Sequence, residues 1–143
     1  MIESKAATGV RMTVESAEGF KTRLRHGPSG TEISTEAPRD NGGTGGSFSP
    51  TDLVGAALAS CALTTMQLVA SRDGMTWGAA SARIGKRMTP PPRRIGEMLL
   101  EFTMPAGLSP EQRTRFEEVA HTCPVARSLN SELRVSMTFA YPD

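Results

Sequence analysis

The sequence has few of the residues on which several large classes of protein depend. Only two of its 143 residues are cysteines, which excludes a small scaffold held together by many disulfides. Aromatic residues make up 5% of the chain, too few for a surface that stacks nucleic-acid bases. Lysine and arginine total 16 against 15 acidic residues, so the net charge of +1 argues against a nucleic-acid partner.

The N-terminal residues also lack a targeting pattern. No apolar stretch follows a basic cluster there, so we expect no signal peptide and a location in the reducing cytoplasm. Apolar residues make up 38% and charged residues 22%, as in globular proteins. Length and composition together predict a single domain that spans residues 1–143.

The first third of the chain has the pattern of a β-meander. Short stretches that partly alternate apolar and polar residues predict strands near 10–14, 20–25 and 31–35. Residues 37–47 are rich in glycine and have no periodicity, which predicts a loop. A loop of this kind is commonly a flexible connection, although long loops in compact domains also form the rims of active sites.

A long central helix follows this loop. Ser49 is a good N-cap, Pro50 suits the first helical position, and Asp52 stands three residues after the cap. The helix is predicted to reach about Arg72, with Gly74 ending it. Its uncharged stretch is almost long enough to span a bilayer, but polar residues interrupt it, so we predict a core helix and no membrane partner. Apolar residues surround it on most sides, which indicates that a second subunit also covers it.

The rest of the chain alternates strands with two helices. Strands are predicted over 76–87, 95–104 and 133–141, the last with clear alternation. A cap and proline at Ser109-Pro110 predict one helix, and Pro124 predicts the start of another. The expected order is β-β-β-α-β-β-α-α-β, an α+β domain.

The two cysteines are the best candidates for chemistry. Cys123 precedes a predicted helix start, where free N–H groups and the helix dipole would favour its thiolate. Cys61 lies within the central helix and has no activating neighbour in the sequence. Two alternatives remain: the cysteines are ordinary packing residues, or they join His121 in a zinc site.

Two stretches resemble the signatures of one known family. Residues 49–61, from Ser49-Pro50-Thr51-Asp52 to Cys61, resemble the central-helix motif of the OsmC/Ohr proteins, named for osmotic induction and organic hydroperoxide resistance. Cys123-Pro124-Val125 resembles their second signature, and the stretch around Cys61 is closer to the OsmC-like branch. The resemblance implies the OsmC-like fold, an intertwined homodimer in which long central helices are buried between two sheets.

The resemblance also implies a peroxidase. In such proteins the cysteine that corresponds to Cys61 attacks an organic hydroperoxide and becomes a sulfenic acid, and the one that corresponds to Cys123 condenses with it to a disulfide. An external dithiol, often a lipoyl group on a protein, then restores both thiols, and no metal, flavin or haem is needed. The substrates expected are organic hydroperoxides, with hydrogen peroxide reduced less well.

The sequence departs from the family pattern beside the first cysteine. The family site usually has an arginine that stabilises the thiolate and a glutamate that holds this arginine. Arg39 is the nearest match to the arginine, with Arg11, Arg23 and Arg25 as alternatives. At the glutamate position the chain has Thr51, followed by Asp52, which is shorter and suited to capping. The departure supports an alternative, a binding or scaffold protein that keeps the fold but has little peroxidase activity.

Overall fold

Strands and helices alternate along the chain much as the sequence patterns predict. The computed structural model describes residues 8–143, and these residues form two three-stranded sheets and three α-helices. The expected α+β class is therefore confirmed. The elements, in chain order, are β1 (Met12–Ala17), β2 (Lys21–His26), β3 (Glu32–Glu36), α1 (Pro50–Arg72), β4 (Ser81–Met88), β5 (Ile95–Thr103), α2 (Pro110–His121), α3 (Pro124–Ser128) and β6 (Arg134–Ala140).

The chain divides into two compact units. The first ends at Leu53 and contains strands β1 to β3, and the second runs from Val54 to Asp143. Helix α1 begins in the first unit and continues into the second. The assignment of residues 1–143 to one domain remains a prediction.

The first unit contains the expected meander, in the order β1-β2-β3 with both pairs antiparallel. The register places Val14 opposite Leu24 and Leu24 opposite Ile33, so a row of apolar side chains crosses one face, the apolar face of the sheet. The other face carries exposed ion pairs, because Arg23 lies opposite Glu15. Strand β1 begins at Met12, two residues after the predicted start at residue 10.

The ends of α1 confirm the predicted capping signals. The Ser49 backbone N–H donates to Asp52 Oδ2 (2.8 Å), and the Asp52 N–H donates to Ser49 Oγ (3.1 Å). This reciprocal pair satisfies two backbone donors that the first helical turn would otherwise leave without partners. At the other end Gly74 has a φ of +73°, a left-handed conformation that glycine adopts without strain.

Within the second unit α1 packs on a sheet formed by β4, β5 and β6. Gly55 allows close approach, since a Cβ there would lie 3.1 Å from both Ile84 Cγ2 and Met98 Sδ. Length and composition alone would also allow α1 to cross a membrane. Its packing instead matches the predicted core helix, because one side of it is buried at Gly55, Leu58, Ala59, Ala62, Met66 and Ala70.

The sheet of the second unit combines two kinds of pairing, in the order β4-β5-β6. Strands β4 and β5 are antiparallel, whereas β5 and β6 are parallel. A parallel pair needs a crossover connection, and helices α2 and α3 supply it. Strand β4 begins at Ser81 rather than near residue 76, and Trp77 in the preceding segment packs edge-on against Phe116 of α2, with 5.2 Å between ring centroids.

A short junction between α2 and α3 places the second cysteine. Helix α2 ends at His121, Cys123 has an extended conformation, and Pro124 begins α3. The Arg127 N–H donates to the Cys123 carbonyl (3.0 Å), the first hydrogen bond of the new helix. The predicted start of this helix at Pro124 is thereby confirmed.

Candidate functional site

Cys61 lies near the middle of α1, at the border of its buried side. Its side chain is half-buried and packs against the core of the second unit. One turn further on, Thr65 Oγ1 donates to the Cys61 carbonyl (2.7 Å) and lies 3.9 Å from Cys61 Sγ. Cys61 is therefore partly open to solvent in the single chain, and the Thr65 hydroxyl lies close to its sulfur.

Cys123 is fully buried in the same core. It is the N-cap residue of α3, but its side chain makes no capping hydrogen bond. The position that the sequence predicts is thus correct, while the environment is an apolar interior rather than an exposed helix end.

The fold brings the two cysteines together. Burial raises the pKa of the Cys123 thiol, and a side-chain hydrogen bond and charge repulsion from Cys61 raise it further. The backbone N–H groups of Ala126 and Val125 act in the opposite direction but are outweighed. The expectation that the start of α3 activates Cys123 is therefore wrong, because loss of hydration penalises the thiolate more than this short helix stabilises it.

Arg39 lies in the first unit, in a 3-10 turn at Arg39–Asn41. Its side chain is exposed, and Nε donates to the Thr44 carbonyl (2.8 Å). Of the alternative arginines, Arg23 and Arg25 form exposed ion pairs on the charged face of the meander. The partnership of Arg39 with Cys61 remains a prediction.

The residues at the family's glutamate position take part in the start of α1. Asp52 accepts from the Ser49 N–H, as a capping residue does, and Thr51 Oγ1 lies 3.2 Å from Ser49 Oγ. The expected capping role of Asp52 is confirmed. Its carboxylate serves the helix end, where negative charge is favourable.

The zinc alternative receives no support from the described part of the chain. Across residues 8–143, no three histidine, cysteine or acidic side chains are grouped closely enough to hold a metal ion. His121 instead packs near the Phe139 ring, with 6.0 Å between ring centroids.

One further feature, a buried carboxylate close in sequence to Arg39, has no signature in the sequence. Glu36 ends β3 with 4% of its surface exposed and accepts hydrogen bonds from Thr44. No local pattern identifies such a residue, because its donors come from a glycine-rich loop whose path cannot be inferred from composition. The contact of Thr65 with Cys61 can be predicted from the sequence, because residues four apart in a helix lie side by side.

A protein-family model described as OsmC-like protein matches residues 43–138, which include both cysteines. The chain belongs to the OsmC-like protein family. The resemblance of the two cysteine motifs to this family is therefore confirmed. The comparison with curated proteins found no match.

Solved structures of OsmC-like proteins agree with this assignment. An osmotic stress induced and detoxification response protein from Psychrobacter arcticus is 34% identical, with a TM-score of 0.85 over 90% of this chain and 93% of that chain. Two further structures share the fold. The OsmC-like protein of Mycoplasma pneumoniae is 18% identical (TM-score 0.78, 95% of this chain and 99% of that chain). An organic hydroperoxide resistance protein of Elizabethkingia anophelis is 19% identical (TM-score 0.72, 97% and 100%).

The raised pKa of Cys123 predicts a loss of stability in alkaline solution. A thiol in the unfolded chain ionises near pH 8.5, whereas folded Cys123 keeps its proton to higher pH. Its contribution to stability is therefore fully present below about pH 8.5 and is lost as the pH rises through the folded-state pKa. We expect the free energy of unfolding in urea, measured with a reductant present, to fall more between pH 7 and pH 10 in the wild type than in Cys123→Ser. Equal decreases in the two proteins would contradict the buried, protonated thiol.

Proposed function

We propose that this OsmC-like protein is a cytoplasmic thiol peroxidase that reduces organic hydroperoxides to alcohols. The observation that carries the proposal is the pairing of a half-exposed Cys61 with a buried Cys123 whose thiol interacts with it. Cys61 is the partly exposed residue of the pair, and Cys123 is fully buried. This arrangement suits a reaction in which the first sulfur is oxidised and the second removes the oxidation product.

In the first step the Cys61 thiolate attacks the terminal oxygen of the hydroperoxide. The O–O bond breaks, the sulfur is oxidised to a sulfenic acid, and the alkoxide leaves as an alcohol after taking up a proton. Peroxide thus gains two electrons, and Cys61 loses two. Cys61 fits this role because its side chain is the more accessible of the two.

In the second step the Cys123 sulfur attacks the sulfur of the Cys61 sulfenic acid. A disulfide forms, and the hydroxyl group leaves as water with the proton of the Cys123 thiol. Burial raises the pKa of Cys123, so its thiol is protonated at neutral pH. This proton is therefore available when the sulfenic acid forms. A dithiol, of the lipoyl type in our proposal, then reduces the disulfide by two exchange steps and is itself oxidised to a disulfide. The cycle needs no metal, flavin or haem.

Arg39 completes the proposed site. A guanidinium stabilises a thiolate by charge and by hydrogen bonding, and it stays protonated at every relevant pH. The resemblance of the loop before α1 to the family's arginine-bearing loop supports this role. The role is tested with the variants described in the next subsection.

Apolar side chains near Cys61 support a preference for organic rather than inorganic peroxide. Cys61 packs against an apolar core that includes Leu58, and Leu63, two residues further on, is apolar and only partly buried. Organic hydroperoxides carry an apolar group that is favourably removed from water beside apolar side chains. Structural relatives named as organic hydroperoxide resistance proteins give further support.

We also propose that the protein acts as a homodimer. The apolar face of the meander leaves three large side chains more than half exposed, at 68% for Met12, 61% for Val14 and 51% for Ile33. Contiguous apolar surface of this kind marks an interaction site. Since the family resemblance implies an intertwined dimer, a second copy of this chain is the occupant we propose.

A fold-retaining binding protein is the second candidate. It is favoured by Thr51, which stands where the family has a glutamate, and by the use of the Asp52 carboxylate as a helix cap. In that case Cys61 would react with peroxide no faster than an ordinary thiol. Turnover measurements on the wild type and the variants below separate the two candidates.

Replacement of the first cysteine should abolish the reaction. We expect Cys61→Ser to lose turnover of cumene hydroperoxide with a dithiol reductant, by a factor on the order of 10³ or more, because the attacking sulfur is gone. The measurement is alcohol formation by chromatography. Ser34→Ala, an exposed substitution on strand β3, is the control and should keep the wild-type rate. A Cys61→Ser protein with full activity would refute the mechanism.

Replacement of the second cysteine should trap the intermediate. In Cys123→Ser we expect one equivalent of peroxide to give a Cys61 sulfenic acid that dimedone labels, seen as an adduct by mass spectrometry. No internal disulfide can form in this variant. The wild type should instead form the Cys61–Cys123 disulfide, which lowers its mass by two hydrogen atoms, and should resist dimedone. Dimedone labelling of the wild type to the same extent would show that Cys123 does not resolve the sulfenic acid.

A charge on the apolar face should separate the subunits. Burial of a valine contributes about 1.5–3 kcal/mol, and a carboxylate in its place would lose this gain and add a desolvation cost. We therefore expect Val14→Glu to elute as a monomer in size-exclusion chromatography with light scattering, whereas the wild type is a dimer. Thr13→Glu places the same charge on the opposite face of β1 and should remain dimeric. If Val14→Glu remains a dimer, the interface does not include the apolar face.

A further inference from the structure

A buried carboxylate that the peroxidase mechanism does not use lies at the end of β3. Glu36 has 4% of its surface exposed, and burying an ionised group is costly unless hydrogen bonds compensate it. Three donors converge on its Oε2 atom: the Thr44 N–H (2.6 Å), the Thr44 hydroxyl and, more distantly, the Gly46 N–H (3.5 Å). Lys21 Nζ lies 3.8 Å from the other oxygen but is largely exposed, so its contribution is small.

These hydrogen bonds keep Glu36 ionised. The Thr44 hydroxyl and then the Thr44 N–H lower the pKa of the carboxyl group below its ordinary value, against the effect of burial. An ionised acceptor forms stronger hydrogen bonds than a neutral one. Glu36 therefore acts as a fixed anchor for the loop that contains Thr44.

This loop is shaped by close backbone contacts that require glycine. A Cβ on Gly43 would lie 1.6 Å from the Ala37 carbonyl oxygen, so no other residue fits there. The Gly43 N–H donates to the Pro38 carbonyl (3.0 Å), which closes the turn that contains Arg39. The glycine-rich stretch is thus a defined structure rather than a loose connection.

The loop in turn holds Arg39. Its Nε–H donates to the Thr44 carbonyl (2.8 Å), so the residue anchored by Glu36 is also the one that anchors the guanidinium. The aliphatic part of Arg39 lies over Gly45, where a Cβ would be 3.0 Å from Arg39 Cγ. Both the acceptor and the surface on which Arg39 rests therefore belong to the loop that Glu36 fixes.

We propose that Glu36 is a positioning residue, which sets the direction of the Arg39 guanidinium through Thr44. The proposal rests on the proposed function, in which Arg39 stabilises the Cys61 thiolate. Glu36 itself touches neither cysteine nor substrate in this scheme. A freely moving arginine loses conformational entropy each time it pairs with the thiolate. Because Glu36 keeps Arg39 ordered beforehand, this entropy cost is smaller.

Two variants at position 36 test the proposal. Glu36→Ala removes the acceptor for Thr44, whereas Glu36→Gln keeps one neutral acceptor oxygen. Glu32→Ala on the same strand is the matched control, because Glu32 is exposed and pairs with Arg25 on the charged face of the sheet. Thermal unfolding of each variant establishes that it is folded before the other measurements, and Glu36→Gln serves if Glu36→Ala does not fold.

The first measurement is the NMR signal of the Arg39 Nε–H group, which reports side-chain order without reference to activity. We expect an ordered, slowly exchanging signal in the wild type and in Glu32→Ala, and an averaged, rapidly exchanging one in Glu36→Ala. Glu36→Gln should be intermediate. An Arg39 signal that stays ordered in folded Glu36→Ala would overturn the proposal.

The second measurement is the rate of Cys61 alkylation by iodoacetamide at pH 6, in a Cys123→Ser background that leaves one thiol. Arg39→Ala should slow it on the order of tenfold, since a nearby positive charge favours the thiolate. Glu36→Ala should slow it by a similar factor, with no further loss in the double variant, because the effects of residues that act through one another are not additive.

If Arg39→Ala slows alkylation and Glu36→Ala does not, the positioning role is wrong while the proposed function stands. If Arg39→Ala has no effect, the role of Arg39 in the proposed function fails, and the NMR measurement still decides whether Glu36 orders Arg39.

Discussion

The packing of α1 on the sheet of the second unit is the constraint on which the thiol site depends. Leu58, Ala62, Met66 and Ala70 follow one another at intervals of four and have no exposed surface, so they form the centre of the buried side. Cys61 and Thr65 lie on the adjacent row and are half-buried. The partial exposure of Cys61 is thus a consequence of the side of the helix that faces the sheet.

Two effects oppose each other at Cys123. A helix start favours a thiolate, but α3 has only five residues and its dipole acts weakly, whereas removal from water penalises the charge strongly. Burial prevails, and the thiol stays protonated beside Cys61. The same fold therefore leaves Cys61 partly exposed and buries Cys123 with its proton.

The glycine-rich loop before α1 shows how composition can mislead. Glycine is common in flexible connections, but here its lack of a side chain allows two close contacts. Gly43 approaches the Ala37 carbonyl, and the side chain of Arg39 packs on Gly45. A single ionised side chain, Glu36, accepts the hydrogen bonds that the loop donates through Thr44. An exposed arginine can have a defined direction when its acceptor is fixed in this way.

The sequence by itself determined the type and order of the elements and the family. Caps at Ser49 and Ser109, the proline before α3 and the alternation in β6 are local signals, because each depends on backbone angles and neighbours a few residues away. The family resemblance also implied that Cys61 meets Cys123. Tertiary structure alone decided the parallel pairing of β5 with β6, the direction of the Cys123 pKa shift and the burial of Glu36. Each of these depends on desolvation or contact between residues far apart in the chain, and no short pattern records such contacts.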